Sequence, residues 1–286
     1  MKDRLKRAPG VVGFVRRLGR FRFLLKARQV GAEGQGFRAD PLNSLRYVLF
    51  DPETHSYSFE LGNVGELGEF LEGVTGTAAE VIAGYVDEAL ADPELTQRLR
   101  RRVRWRFDFK RSMPLGNRLL WYALLRAVKP RYVVETGIHQ GLGSLMLLRA
   151  LERNAEEGVD GELTSIDLDP GSGWLVPEGL RARWTPVFGD IEADLEEALG
   201  GRHVDVFIHE SDHNEPLQRF EFSTALDHAA DTLYVIDSSG VELPVLRDLC
   251  ATRGGEHRLF VERPRRHFYR PPGTAVAVFR RIGGDC

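Results

Sequence analysis

The chain has 286 residues, a formal net charge of −3, and is 42% hydrophobic and 28% charged. This is globular composition, with enough length for one large domain or a catalytic domain plus an extension. The balance of charge gives no general drive toward nucleic acid, and no apolar run is long enough to span a bilayer. The only cysteines, Cys250 and Cys286, have no metal-ligand spacing and point to a reducing compartment, the cytoplasm.

The chain opens on a basic segment. In residues 1–30, Lys2, Arg4, Lys6, Arg7, Arg16, Arg17, Arg20, Arg22, Lys26 and Arg28 face a single acid, Asp3. Val11, Val12, Phe14, Val15, Leu18, Phe21, Leu24 and Leu25 recur at roughly helical spacing through the same stretch. Such a helix packs on the body of its own protein, or lies on an anionic membrane or a partner. Gly31 to Gly36 reads as a flexible connector. Residues 41–112 read as mainly helical, with a helix over Val74–Ala91 that Thr75 or Thr77 caps. Another helix is expected to start at Asp92-Pro93, with Asp92 at the N-cap and Pro93 at N1. It runs into a basic stretch from Arg98 to Arg111, with Trp105, Phe107 and Phe109 interleaved. Snorkelling beside the active site is the reading preferred there over nucleic-acid binding.

From Pro114 the pattern becomes regular. Leu115–Val128 is an apolar helix that Lys129-Pro130 ends, and Tyr132–Val134 is a first strand. A glycine turn, Gly137 to Gly143, leads into a helix over Ser144–Leu151. Further strands are expected at Leu163–Ile166, Trp184–Phe188, Val204–Ile208 and Leu233–Ile236. Helices are expected at Ala193–Leu199, Pro216–Ala229 and Leu243–Cys250. Two closing runs, Arg258–Val261 and Ala275–Phe279, have no helix between them and predict a terminal hairpin. Alternation of strands and helices predicts an α/β fold with a mostly parallel sheet. The expected division is a helical extension over 1–112 and a ligand-binding domain over 113–286.

In open α/β sheets, ligands bind outside the carboxyl ends of the strands. The first of those ends carries Glu135, Gly137, His139, Gly141 and Gly143. These glycines do not read G-x-G-x-x-G, because His139 stands at the second glycine position, and Glu135 would repel a diphosphate. A nicotinamide-dependent oxidoreductase is therefore disfavoured. An acid before the turn suits a ligand with positive charge, and the free N–H groups of the following helix suit a carboxylate. The later strands end in Asp167, in Gly189-Asp190, in His209-Glu210-Ser211-Asp212-His213 and in Asp237-Ser238.

The turn E-T-G-I-H-Q-G resembles motif I of the class I methyltransferases that use S-adenosylmethionine (SAM), and the order of elements from Leu115 to Arg281 is similar to theirs. The resemblance implies a Rossmann-like, seven-stranded sheet with a terminal antiparallel hairpin, an N-terminal helical extension, and SAM as cofactor. It places Asp167 at the ribose, and Asp190 and Ile191 near the adenine. Glu135, Gly137, His139, Gly141, Gly143 and Glu210 complete the implied cofactor set. FIHESDH is similar to the fourth-strand motif of small-molecule O-methyltransferases, whose catechol-type members hold a metal with an acid at that position and an Asp-Asn pair at strand five. Here His209 and Ser238 depart from that pattern, although Asp237, Asp212 and Glu210 are oxygen donors of the kind Mg²⁺ takes.

The expected reaction is methyl transfer to a hydroxyl, less readily an amine, of a small-molecule acceptor. His213 is the first candidate base, with Asp212 to orient or replace it and His209 as second choice. A non-catalytic protein of the same fold that docks through residues 1–30 is the other reading, and a second copy of the chain is a further candidate partner.

Overall fold

The structure, a computed structural model, describes residues 64–104, 115–239, 243–261 and 273–280, together with Leu18. The remainder of the basic segment, the glycine connector, and Trp105, Phe107, Phe109, Lys110 and Arg111 lie outside the described residues.

Seven strands form one sheet: β1 (Tyr132–Thr136), β2 (Glu162–Asp167), β3 (Trp184–Phe188), β4 (Val204–His209), β5 (Ala229–Asp237), β6 (Glu256–Val261) and β7 (Gly273–Arg280). Their spatial order is β3-β2-β1-β4-β5-β7-β6. The first five run parallel, and β7 is antiparallel to both β5 and β6. The expected closing hairpin is thus present, with its second strand inserted beside β5. The inner strands are rich in valine, isoleucine and aromatic residues and buried on both faces. That is why they read as apolar runs and not as alternating patterns.

Eight α-helices are described: α1 (Val64–Thr75), α2 (Ala79–Ala91), α3 (Leu99–Val103), α4 (Arg118–Val128), α5 (Leu142–Glu156), α6 (Ile191–Leu199), α7 (Glu215–Asp227) and α8 (Pro244–Arg253). They cover the sheet on both sides. On one face, Leu67, Ile82, Trp121 and Leu148 share a core with Val133, Val206, Ile208 and Ile236. On the other, Leu199, Phe222 and Leu246 pack on Val134, Phe207, Val235 and Ala277. The helices of 64–103 therefore share one hydrophobic core with the sheet. None of the described helices is long and apolar enough to cross a membrane.

The accessory helices differ from the expectation of one helix over Val74–Ala91. The chain breaks at Gly76, whose φ of +74° no helix accommodates. Thr75 closes α1 by donating from Oγ1 to the Leu71 carbonyl at 2.7 Å. The N-cap of α2 is Ala78, without a side-chain cap, so neither threonine caps it. Helix α7 ends at Asp227, and Ala229 already belongs to β5. At 92–98, Pro93 takes the N-cap position of a π-helical turn, Glu94–Arg98, that leads into α3. Asp92 still caps it, since its Oδ1 accepts the Glu94 N–H at 2.7 Å.

Asp92 does more than cap. It is 3% exposed, and its Oδ2 accepts from Arg149 and, at 3.4 Å, from Arg153 on α5. One buried carboxylate thus joins the end of α2 to α5, the helix that follows the glycine turn. Asp92→Ala leaves Arg149 without that partner and is expected to cost about 3 kcal/mol in urea unfolding. Loss of the exposed Arg219–Asp248 pair through Arg219→Ala should cost less than about 1 kcal/mol.

Candidate active site

Connections leave β1 toward β2 and β3 on one side, and the chain returns to β4 on the other. The crevice between the carboxyl ends of β1 and β4 is thus the switch point, where a ligand is expected. The glycine turn sits there under tight constraint. Gly137 has φ +85°, and a Cβ on it would lie 2.3 Å from the Glu210 carbonyl oxygen. Gly141, also at φ +85°, would bring a Cβ to 2.7 Å from Gly173 Cα. A side chain at either position would push the turn away from β4 or from the 171–176 loop. His139, exposed, adopts a left-handed φ of +48°.

Asp167 fastens this turn from the end of β2. Its Oδ2 accepts the N–H groups of Ile138 at 2.8 Å and His139 at 2.7 Å, and its Oδ1 accepts the Asp169 N–H at 2.9 Å. The turn and the loop after β2 are further tied by Gly173 N–H to His139 O and Leu175 N–H to Gln140 O. From α3, Arg102 Nη1 donates to the Leu175 carbonyl at 2.6 Å. The basic stretch thus reaches the loop that supports the turn.

A cavity of about 270 Å³ opens beside the turn, lined by Arg118, Glu135, Gly137, Ile138, His139, Gln140, Leu142, Gly143, Glu210 and His213. Glu135 forms its floor. Its Oε2 accepts from Ser144 Oγ at 2.6 Å and Ser165 Oγ at 2.8 Å. Gly143 leaves room for it, since a Cβ there would sit 2.6 Å from both Glu135 Oε1 and Trp121 Cζ3. Burial pushes this carboxyl up to about 7, against the two hydroxyl donors, and the Glu210 charge adds to the rise. Glu210 Oε1 accepts from Arg118 Nη2 at 3.1 Å, while its buried Oε2 has no hydrogen-bond partner among the described residues.

The opposite face of the sheet carries a second polar group. Register places Thr136 beside His209, and His209 beside Asp237. All three are buried, as is Glu221 of α7. Glu221 Oε2 accepts from Thr136 Oγ1 at 2.6 Å and lies 2.8 Å from His209 Nδ1. Its Oε1 accepts from Ser211 Oγ at 2.6 Å. His209 Nε2 is 3.2 Å from His213 Nδ1 and 3.3 Å from Gln218 Nε2. Burial opposes charge on His209, but the bond to Glu221 and the charges of Glu221, Asp237 and Glu210 outweigh it and hold the ring above its ordinary value. His213 is held below it by burial and by His209.

The remaining predicted residues stand elsewhere. Asp190 is the N-cap of α6, accepting the Glu192 and Ala193 N–H groups. Ile191 opens that helix. Neither Asp190, Ile191 nor Asp167 lines the cavity, and Asp212 is exposed beside His213. Asp237 Oδ1 accepts the Ser239 N–H, and its Oδ2 has no partner among the described residues. Among the described residues, no three His, Cys, Asp or Glu side chains are grouped to hold a metal ion, so Asp237, Asp212 and Glu210 do not form a common ligand set.

Arg118 and Glu221 are the participants that sequence reasoning missed. Glu221 had a legible signal. Gln218, Glu221, Phe222 and Ala225 share one helical face, so a buried Phe222 carries Glu221 inward, and a buried carboxylate needs partners.

Residues 134–239 match a protein family described as a methyltransferase domain. No curated protein matches the chain. Among solved structures, a protein from Klebsiella pneumoniae described as an O-methyltransferase is 18% identical, over 69% of this chain and 96% of that one, with a TM-score of 0.50. The O-methyltransferase TomG from Streptomyces achromogenes, solved with SAM, is 17% identical over 66% of this chain and 90% of its own, with a TM-score of 0.48. The first likeness is one of fold.

The Glu135 environment gives a signed expectation for stability. A carboxyl raised above its unfolded value stabilises the fold at low pH, and that contribution is lost as pH rises from 4.5 through about 7. Glu135→Gln removes the dependence. Relative to wild type, it should gain about 3 kcal/mol between pH 4 and pH 8, measured by urea unfolding at both values.

Proposed function

We propose that this chain, whose residues 134–239 match a methyltransferase-domain family, is a SAM-dependent methyltransferase that transfers the methyl group to a hydroxyl of a small-molecule acceptor. The observation that carries the acceptor chemistry is that one cavity holds both the glycine turn with its acidic floor and a histidine, His213, from the end of β4.

The residues fit SAM. Gly137 and Gly141 keep the backbone bare where a Cβ would collide. The first turn of α5 offers backbone N–H groups for a carboxylate. Glu135, and the Oε2 of Glu210 that has no hydrogen-bond partner among the described residues, suit an ammonium and a sulfonium. The resemblance assigns Asp167 to the ribose and Asp190 and Ile191 to the adenine, beyond the residues that line the cavity itself. Here Asp167 also holds the turn together. Bound SAM supplies a methyl group activated by a positive sulfur.

The chain's own task is to bind, orient and take a proton. The acceptor hydroxyl would have to be oriented toward that methyl group and to shed its proton. His213 takes it. Its depressed basicity keeps the ring neutral near pH 7 and ready to accept. The same reading keeps the protein in the cytoplasm, and leaves residues 1–30 as the segment for contact with a membrane or partner.

Two outcomes are expected. By calorimetry, SAM and S-adenosylhomocysteine bind and NAD does not. Gly137→Val abolishes binding, because its side chain meets the Glu210 carbonyl, and Asp167→Ala weakens it. NAD binding without SAM binding would overturn the cofactor. In a methyl-transfer assay over a panel of hydroxyl acceptors, His213→Gln lowers kcat about 100-fold or more and leaves SAM affinity unchanged.

A further inference from the structure

We propose that Glu221 and His209 act as a buried proton sink behind His213: His213 takes the acceptor's proton at Nε2 and passes its own Nδ1 proton to His209 Nε2, and Glu221 holds the resulting imidazolium. The proposal rests on the methyltransferase reading for the source of the proton. Its geometry is independent of that reading.

Three contacts in line carry it: Glu221 Oε2 to His209 Nδ1 at 2.8 Å, His209 Nε2 to His213 Nδ1 at 3.2 Å, and His213 at the cavity wall. The tautomers follow from the partners. A carboxylate only accepts, so His209 Nδ1 carries hydrogen toward Glu221. His209 Nε2 is then an acceptor, and His213 Nδ1–H and the Gln218 amide both approach it as donors. His213 Nε2 is left with its lone pair for the acceptor. Thr136 and Ser211 donate to the two oxygens of Glu221 and so fix its plane.

The transfer balances. The acceptor O–H bond breaks as an N–H bond forms at His213 Nε2. The His213 Nδ1–H bond breaks as one forms at His209 Nε2. The positive charge moves one ring inward, where Glu221, Asp237 and Glu210 face it, and each favours charge there. No net charge change is asked of His213, whose own surroundings disfavour one. Glu221 and His209 are positioning residues in this scheme, and a buried carboxylate that orients a histidine is an arrangement known to support a general base.

The test has two arms on the full chain. In the first, the ring nitrogens of ¹⁵N-histidine-labelled protein are titrated by NMR without any acceptor. We expect His209 to protonate at higher pH than His213, and Glu221→Gln to lower the His209 midpoint by about one unit or more. In the second, Glu221→Gln is assayed for methyl transfer across pH. We expect kcat to fall about 100-fold with SAM affinity unchanged, and the acidic limb of the profile to move to lower pH, because removing an anion makes the pair release its proton more readily.

If His213 protonates before His209, or if Glu221→Gln leaves the order and midpoints unmoved, the sink is overturned. A fall in kcat with an unmoved acidic limb would mean Glu221 is structural, which also overturns it. Should Glu221→Gln not fold, the order of titration in wild type decides. Absence of SAM binding and of methyl transfer in wild type would overturn the methyltransferase reading and the catalytic use of the sink with it. The NMR arm would still report whether the buried pair holds the proton.

Discussion

The architecture of the site depends on one close approach. The turn after β1 lies so near the end of β4 that the Gly137 Cα faces the Glu210 carbonyl with no room for a Cβ. The Glu210 N–H donates to Thr136 O at 2.9 Å and the Gly137 N–H donates to Ile166 O at 2.8 Å, so the strand ends continue their ladder into the turn. Everything placed at the crevice follows from this. The N-terminus of α5, the floor at Glu135 and His213 after β4 border one cavity because the backbone there is pressed together and bare. Pre-placed groups of this kind need not reorganise when a ligand arrives.

Electrostatics then divide the crevice into two compartments. Strand β1 alternates, so Glu135 points to the face covered by α4 and α5, and Thr136 to the face covered by α7. The first compartment gathers carboxylates against Arg118 and suits a cation. Glu135, buried and raised to about 7, gains a reason to ionise when positive charge is bound. The second compartment gathers hydrogen-bonded carboxylates around His209 and suits a proton. Burying unneutralised acids on both faces costs folding stability, and such costs are typical of functional sites.

Much of this was legible in the chain. Five parallel strands, the glycine turn and the acids at the strand ends follow from apolar runs that stop at Glu135, Asp167 and Asp237, because a strand buried on both faces cannot carry a charge until it reaches the edge. The break at Gly76 was less legible, since the apolar pattern of α2 continues backward across it. The sequence pattern makes Asp92 a cap, and the family resemblance makes Asp190 a cofactor contact. In the fold both cap helices, and Asp92 in addition binds two arginines 57 and 61 residues away in sequence.

The sequence by itself determined the fold class, the place of the crevice and the candidate residues, because periodicity, turn chemistry and the ends of strands are local properties. Tertiary structure alone decided which of those residues meet. Glu135, Arg118 and Glu210 come from β1, α4 and the end of β4, and their contact requires the strand order. The chain Glu221–His209–His213 requires that α7 fold back over β4, with Phe222 buried against Phe207 at a ring separation of 6.3 Å. Packing of that one helix face turns a surface-like glutamate into the buried partner of a histidine. No local pattern around His209 specifies it, because the energy that holds Glu221 in place is the burial of its apolar neighbours.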